Sequence, residues 1–357
     1  MHSSTSELAR PHRTGRTASQ IRIVADDLTG ACDAAVPFLA VGHGVRVWLG
    51  AAADHDSTES VQSFNTGSRA FAPRDAAAIT AAAFSGSRSA ETLHFKKVDS
   101  AARGPFSQEL LAAHHALGTR AILFAPAFPA AGRTVQGGVL SIRDAAGAAR
   151  LVPLAPLFDD AVHTALVADP SEMEDAIEDG ATVLLCDALT QADLDRLAAS
   201  ALPNMLYAGS AGLAQSLASL HSGAVSVVAR QHPRANRCLT ICGTTHPVTG
   251  LQMHRLAQSH PTSSALLIEA TPADASTILL QFEREHPDAL LLTGGDTALL
   301  VLRTLGAQSI LLRGELEPGI PWGVVQGGLA DGRIVITKSG GFGSPDSLSA
   351  IHRELAQ

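Results

Sequence analysis

Short apolar runs, many of them β-branched, recur from Ile21 onward and alternate with alanine-rich amphipathic stretches. IRIVA, VRVWL, SVQSFN, TLHFKKV, AILFAPA, ATVLLCD and NMLYAG each have the length of a strand, and most spacers between them have that of a helix. This alternation predicts an α/β fold with a mostly parallel, doubly wound sheet; where a spacer is too short for a full crossover, strand directions can be mixed. RQHPRANR, Arg230 to Arg237, breaks the pattern with a proline and polar residues, as a linker does. A second series follows it: CLTICG, ALLIEA, ALLLTGG, ILLRGEL and RIVITKSGG. The expected organisation is a polar tail over residues 1–19, an N-terminal domain over 20–229, a linker over 230–237 and a C-terminal domain over 238–357. Each domain is read as an open, mostly parallel sheet with helices on both faces.

Composition narrows the class. A chain of 357 residues, 46% of them hydrophobic, is comfortable as two domains with sizeable cores. Its net charge of −8 includes no basic block, which argues against a nucleic-acid partner. No apolar run approaches the ~18 residues of a membrane span, and the first nineteen residues read as a disordered tail, not a signal peptide. Cys32, Cys186, Cys238 and Cys242 sit in apolar runs, as reduced core residues of a cytoplasmic protein do; CLTIC reads as a strand, not a zinc site. A subunit so rich in sheet is also compatible with a homodimer.

Candidate chemistry begins at VADDLTGACD, Val24 to Asp33. A buried strand that empties into a helix through two acids and a glycine is where an open α/β sheet places its ligand. Neighbouring residues of an extended segment point to opposite faces, so Asp26 and Asp27 address one point only if the strand ends between them; one of the pair is expected to be structural. Thr29 and Gly30 permit a tight turn, and Asp33 falls near the start of the helix, where a carboxylate is favoured. Taken alone, the same residues describe two solvated acids capping a helix equally well.

Three further segments place polar residues just past apolar runs: NTGSR (Asn65 to Arg69), KKVDSAARG (Lys96 to Gly104) and APAFPAAGR (Ala125 to Arg133). In a doubly wound sheet such ends converge on one rim. Arg69, Lys97, Arg103 and Arg133 offer cations to a carboxylate, and Thr66, Ser68, Asp99 and Ser100 offer partners to hydroxyls. Singly, each reads as a surface ion pair or a cap; together they describe a site for a small hydroxylated anion. Farther along, Gly209, Ser210 and Gly212 make a small-residue turn that suits either a phosphate or close packing.

The C-terminal half carries three turns of another kind. In LLLTGGDTALLVLRTLG, Gly294 and Gly295 let backbone approach an anion, and a helix opening at Asp296 and Thr297 supplies unpaired N–H groups. RIVITKSGGFGSPDSL repeats the device, with Lys338 ahead of Gly340, Gly341 and Gly343 as an anion nest. After CLTICG, Thr244, Thr245 and His246 lead into a helix begun by Pro247. None of these is a Walker loop or a dinucleotide G-x-G-x-x-G motif.

ADDLTGACD resembles the opening signature of the four-carbon acid sugar kinases, a two-domain family that includes threonate, erythronate and 3-oxo-tetronate kinases. The family's T-D-S-R, K-K-x-D-S-T-L-R-G and P-A-F-P-x-x-G-R segments are similar to TGSR, KKVDSAARG and PAFPAAGR here. Its G-S-C-S-P-x-T-x-x-Q, G-G-[DE]-T, P-G-x-P-x-G and K-x-G-x-F-G segments are similar to GTTHPVTGLQ, GGDT, PGIPWG and KSGGFG. The resemblance spans about Ile21 to Leu348, is weak from Ser141 to Pro170, and departs at Gly67 (an acid in the family), at Ala101 and Ala102 (threonine and leucine) and at His246 (most often serine).

That resemblance implies an ATP-dependent kinase acting on the terminal hydroxyl of a four-carbon sugar acid, with the active site in an inter-domain cleft that closes and Mg²⁺ bridging phosphate oxygens. Phosphoryl transfer asks mainly for positioning and charge stabilisation. Asp26 or Asp27 is then the base, with Asp99 the second candidate. Thr29, Ser68, Arg69, Lys97, Ser100, Arg103 and Arg133 bind the sugar acid; Thr244, His246, Gly294, Gly295, Asp296, Thr297, Lys338, Gly340 and Gly341 hold the nucleotide; no protein ligand is assigned to the metal. On this division of labour Asp27→Asn lowers turnover and Gly295→Val lowers ATP affinity. A sugar-acid dehydrogenase would instead need a dinucleotide fingerprint where ADDLTG places acids, and a non-catalytic sugar-acid-binding protein would have no use for three phosphate-type turns.

Overall fold

The structure, a computed structural model, describes residues 20–51, 57–85, 91–143, 147–200, 202–221, 232–260 and 263–357. The expected tail and residues 230–231 of the expected linker lie outside these. The first half runs β1 (Gln20–Ala25), α1 (Leu28–Ala40), β2 (Val45–Trp48), β3 (Val61–Asn65), α2 (Pro73–Ser85), β4 (Thr92–Lys97), α3 (Phe106–Leu117), β5 (Ile122–Ala125), β6 (Arg133–Gln136), β7 (Val139–Arg143), β8 (Ala149–Pro153), β9 (Thr164–Val167), α4 (Met173–Glu178), β10 (Val183–Cys186), α5 (Gln191–Ala199), β11 (Leu206–Gly209) and α6 (Ala211–Leu220). The second runs β12 (Cys238–Cys242), α7 (Pro247–Ser259), β13 (Ser264–Leu267), α8 (Ala275–Glu285), β14 (Ala289–Thr293), α9 (Gly295–Thr304), β15 (Ser309–Glu317), β16 (Ile320–Gln326), β17 (Ile334–Lys338) and α10 (Ser347–Leu355).

The two expected sheets form one. Fourteen strands run in the order β13-β12-β14-β17-β16-β15-β2-β3-β1-β4-β11-β5-β10-β9. From β2 to β9 every pairing is parallel, as is every pairing from β13 to β17. The join is antiparallel: β15 pairs with β16 and, through Ser309 to Leu311, with Trp48 to Arg46 of β2. Strands covered on both faces need no alternation, so ILFA of β5, VLLC of β10 and ALLLT of β14 are buried at every position.

The alternating pattern missed β6, β7 and β8, which form a separate antiparallel sheet, and edge strand β9. PGIPWG, one of the segments shared with the family, is the hairpin tip and the first part of β16, with Gly319 turning the β15–β16 hairpin at φ +78°.

Helix α1 ties the halves together. Nine of its residues, among them Leu28, Cys32 and Phe38, are buried, and it touches β1, β2 and β3 on one side and β15, β16 and α9 on the other. Fully burying a side chain such as Leu28 or Phe38 contributes about 1.5–3 kcal/mol each. Both halves therefore pack on this one helix.

Candidate active site

In each half the strand order reverses at one place. β1 lies between β3 and β4, and β12 lies between β13 and β14, so the loops after these strands open at crevices suited to ligands.

At the end of β1 the adjacent aspartates part company. Asp26 is buried and takes a two-pronged grip from Arg69, Nε to Oδ2 at 2.8 Å and Nη2 to Oδ1 at 2.9 Å. Burial pushes its pKa upward, but Arg69, Lys96 and Lys97 together hold it below the usual carboxylate value. Asp27 is the N-cap of α1: Oδ1 accepts from Gly30 N at 2.9 Å, and Oδ2 accepts from Thr29 Oγ1 at 2.8 Å and Arg69 Nη1 at 3.1 Å.

Arg69 also stands 3.7 Å from Asp99. Asp99 is bonded in turn by Arg103, through Nε at 2.9 Å and Nη2 at 2.6 Å. Burial raises the Asp99 pKa, and these arginines outweigh it, leaving it well below the usual range. Lys97 is buried, gives one proton to Val98 O at 2.8 Å, and sits over Gly30, where an added Cβ would meet its Nζ at 3.2 Å. Asp26, Asp27 and Asp99 thus balance Arg69, Lys97 and Arg103, and the rim has no excess of positive charge.

One expected sugar-acid ligand faces elsewhere. Ser68 is fully buried, and its hydroxyl is engaged by Thr66 and by Glu109 of α3, so it cannot turn to the rim. Arg133, on β6, bonds Ala131 O through Nη1, while its buried Nε has no partner among the described residues. Ser100 is half-buried with a hydroxyl that bonds nothing described. Gly67, the departure from the family's acid, has φ +63° and faces Leu299 of α9, so a side chain there would enter the junction of the two rims.

The three glycine turns of the C-terminal half converge. A Cβ on Gly243 would stand 2.5 Å from Thr297 Oγ1, one on Gly294 3.3 Å from Thr244 Cβ, and one on Gly340 2.7 Å from Thr244 Oγ1. Gly294 adopts φ +101° and caps α9 without a side chain, which leaves the first N–H groups of that helix unpaired. His246, in the place of the family's serine, does a serine's capping work: its Nδ1 accepts from Val248 N at 3.3 Å, and its ring lies beside Gly341. Lys338 corrects an expectation, because it is fully buried beneath the third turn rather than presented on it.

The rims also meet at Gly295. A Cβ on Gly295 would lie 3.0 Å from Asp27 Oδ2 and 3.2 Å from Thr29 Oγ1. The carboxylate after β1 therefore faces the open start of α9. By contrast, the turn at Gly209, Ser210 and Gly212 is packing: a Cβ on Gly209 would strike Ala125 O at 2.4 Å, and Ser210 Oγ bonds Ala127 O at 2.6 Å.

Two features went unread in the sequence. Lys96 and Glu109 form an ion pair at 3.0 Å with side chains 0% and 1% exposed, directly behind the Ser68 turn. The signal was present, since consecutive lysines on a strand face opposite ways and one of them had to be buried with a partner. Asp33 has no hydrogen bond or ion pair among the described residues, and burial, with Glu315 and Asp27 nearby, pushes its carboxyl up to about 7 despite Lys97.

Residues 21–164 match the family model described as a sugar-binding N-terminal domain, and residues 186–348 that described as a nucleotide-binding C-terminal domain. The second match begins within β10, ahead of β11, which completes the first half of the sheet. A D-threonate kinase of Bordetella bronchiseptica is 33% identical, covering 92% of this chain and 95% of its own. A 3-oxo-tetronate kinase of Pseudomonas fluorescens is 24% identical, covering 93% of this chain and 96% of its own. A crystal structure from Haemophilus influenzae shares the fold with a TM-score of 0.68 at 18% identity, covering 94% of this chain and 100% of that one.

Proposed function

The chain belongs to the four-carbon acid sugar kinase family, and from that premise we propose that it transfers the γ-phosphoryl group of ATP to the terminal hydroxyl of a tetronate, D-threonate before the 3-oxo acid. It is a phosphotransferase acting on a hydroxyl group, as its curated relatives are. The three relatives at 28–33% identity are D-threonate kinases, and the 3-oxo-tetronate kinase stands at 24%, which favours the first substrate.

One observation carries the reading: the Asp27 carboxylate stands against Gly295 at the uncapped start of α9. A γ-phosphate on those amides lies beside the acid that receives the hydroxyl proton, and phosphoryl transfer needs that alignment more than it needs a strong base. Asp27 is the base in this scheme. Asp26, sealed by Arg69, holds the loop; Asp99, held by Arg103, does the same on the facing side. Arg133, with its unpartnered Nε, takes the substrate carboxylate, and Ser100 and Lys97 take hydroxyls. Thr244, Gly294, Gly295, Thr297, Gly340 and Gly341 surround the triphosphate.

Magnesium suits this site as a phosphate-held ion, since it keeps several waters and needs only one or two carboxylates. Asp296, exposed in the first turn of α9 and bonded to nothing described, fits as one of these. When bound, the ion neutralises charge on the phosphate oxygens. The test is a coupled ADP-release screen with ATP and Mg²⁺ over D- and L-threonate, D-erythronate and 3-oxo-tetronate. Turnover above background with D-threonate supports the proposal; no ADP release with any of the four refutes it.

A further inference from the structure

The ammonium of Lys338 makes four contacts, and every one ends on an oxygen of the protein itself. Nζ lies 2.9 Å from Ser339 O, 3.1 Å from Phe342 O, 3.3 Å from Thr249 Oγ1 and 3.4 Å from Gly340 O. An ammonium has three protons, so none remains for a phosphate. Two side chains of α7 grip the same strip of backbone: Thr249 Oγ1 donates to Gly340 O at 2.7 Å, and Gln252 Nε2 donates to Phe342 O at 3.1 Å and Ser344 O at 2.7 Å. Lys338, Thr249 and Gln252 are all fully buried.

In a trans peptide the C=O and the following N–H point opposite ways, and no peptide among the described residues is cis. Turning the carbonyls of Ser339, Gly340 and Phe342 inward therefore turns the N–H groups of Gly340, Gly341 and Gly343 outward. None of those three N–H groups has an acceptor among the described residues. They face the side where Thr244 and His246 border the glycine turns.

We propose that Lys338 is a positioning residue which shapes the phosphate nest from behind, holding three carbonyls so that three glycine amides present themselves to the anion. The inference rests on the kinase reading only for the identity of that anion. It also makes nucleotide affinity depend on the protonation of a residue the nucleotide never meets. Burial lowers the Lys338 pKa to about 8, against the upward pull of Cys242 on β12 and Glu317 on β15, with His246 across the turn. Above that pH an amine with two protons and a lone pair must face four oxygens, and the carbonyls are released.

The test is calorimetric titration with ATP from pH 7 to pH 9 on the wild type, Lys338→Met and Lys338→Arg, together with hydrogen exchange at the Phe342 amide, which bonds Ser339 O at 3.1 Å. Losing charge-assisted bonds predicts a Kd for ATP about tenfold higher or more in Lys338→Met, no change in KM for the sugar acid, and faster exchange at Phe342. Wild-type affinity should fall around pH 8, while Lys338→Arg, charged throughout, holds its affinity flat across the range. Should Lys338→Met fail to fold, Thr249→Val removes one holder and should weaken ATP binding several-fold. Unchanged affinity in the folded variant, or lost turnover at unchanged Kd, overturns the proposal. If the wild type binds no ATP at all, the kinase reading fails instead, and exchange at Phe342 still decides the role of Lys338: equal rates in wild type and Lys338→Met overturn it.

Discussion

Gly295→Ala tests the meeting of the rims in a single methyl group. The backbone at Gly295 is ordinary helix, so alanine fits it without strain and gains up to about 1 kcal/mol of helix propensity. Its Cβ, however, would sit 3.0 Å from Asp27 Oδ2 and 3.2 Å from Thr29 Oγ1, and reaching ordinary contact at 3.4 Å or more requires movement of a few tenths of an ångström. Asp27 cannot yield freely, because Gly30 N, Thr29 Oγ1 and Arg69 all hold it between 2.8 and 3.1 Å. A misplacement of about 1 Å costs on the order of a hundredfold in rate; a shift of under half that predicts a fall in kcat of about tenfold, or ~1.4 kcal/mol of barrier. The Tm should stay within a few degrees of the wild type, and KM for ATP should change less than kcat does. Steady-state ADP release on Gly295→Ala, Asp27→Asn and the double variant gives the cycle, and groups in contact should couple by at least ~0.5 kcal/mol. Undiminished turnover in Gly295→Ala, or additive losses, would show that the carboxylate and the start of α9 act independently, as the division of labour read from the sequence has it.

Two further outcomes follow from the charges behind the rim. Glu109→Gln leaves the Lys96 ammonium buried without its full partner and should cost about 3–5 kcal/mol, lowering the Tm by roughly 4–7 °C at about 1.3 °C per kcal/mol for a chain of this length; replacing both partners with apolar residues should recover much of that, and a thermal scan showing no loss in Glu109→Gln would refute it. Asp33 has a folded-state pKa of about 7, raised by burial, so the folded chain binds the extra proton and wild-type stability falls as pH rises from about 4 to 7. Asp33→Asn should match the wild type near pH 4 and exceed it above pH 7 by on the order of 1–2 kcal/mol after allowance for partial exposure; denaturant melts that put the variant below the wild type at pH 8 would contradict this.

What the sequence conveyed divides along physical lines. Buried parallel strands such as ILFA and ALLLT announce themselves because both faces are covered. The glycine turns after β12, β14 and β17 were legible because positive φ and close approach exclude other residues. β8, exposed along most of its length, carries no apolar period to read, and β16 hides behind two prolines and two glycines in PGIPWG. The direction of a long side chain is set by its neighbours rather than by its position in a motif. Hence Lys338, beside a glycine nest, turned out to point under it, and Ser68, beside Arg69, turned toward Glu109. The split between Asp26 and Asp27 was foreseeable from strand geometry alone; which of them faces α9 required the second half of the chain.

The antiparallel seam between β2 and β15 bears on how such a molecule breathes. Two lobes strung on a flexible tether swing like a door, but lobes stitched by main-chain bonds behave like a leaf spring, in which any gape is shared as a small twist among many strands. Admission and discharge of ligands should then proceed through the lip of the crevice, with modest excursions and a stiff return.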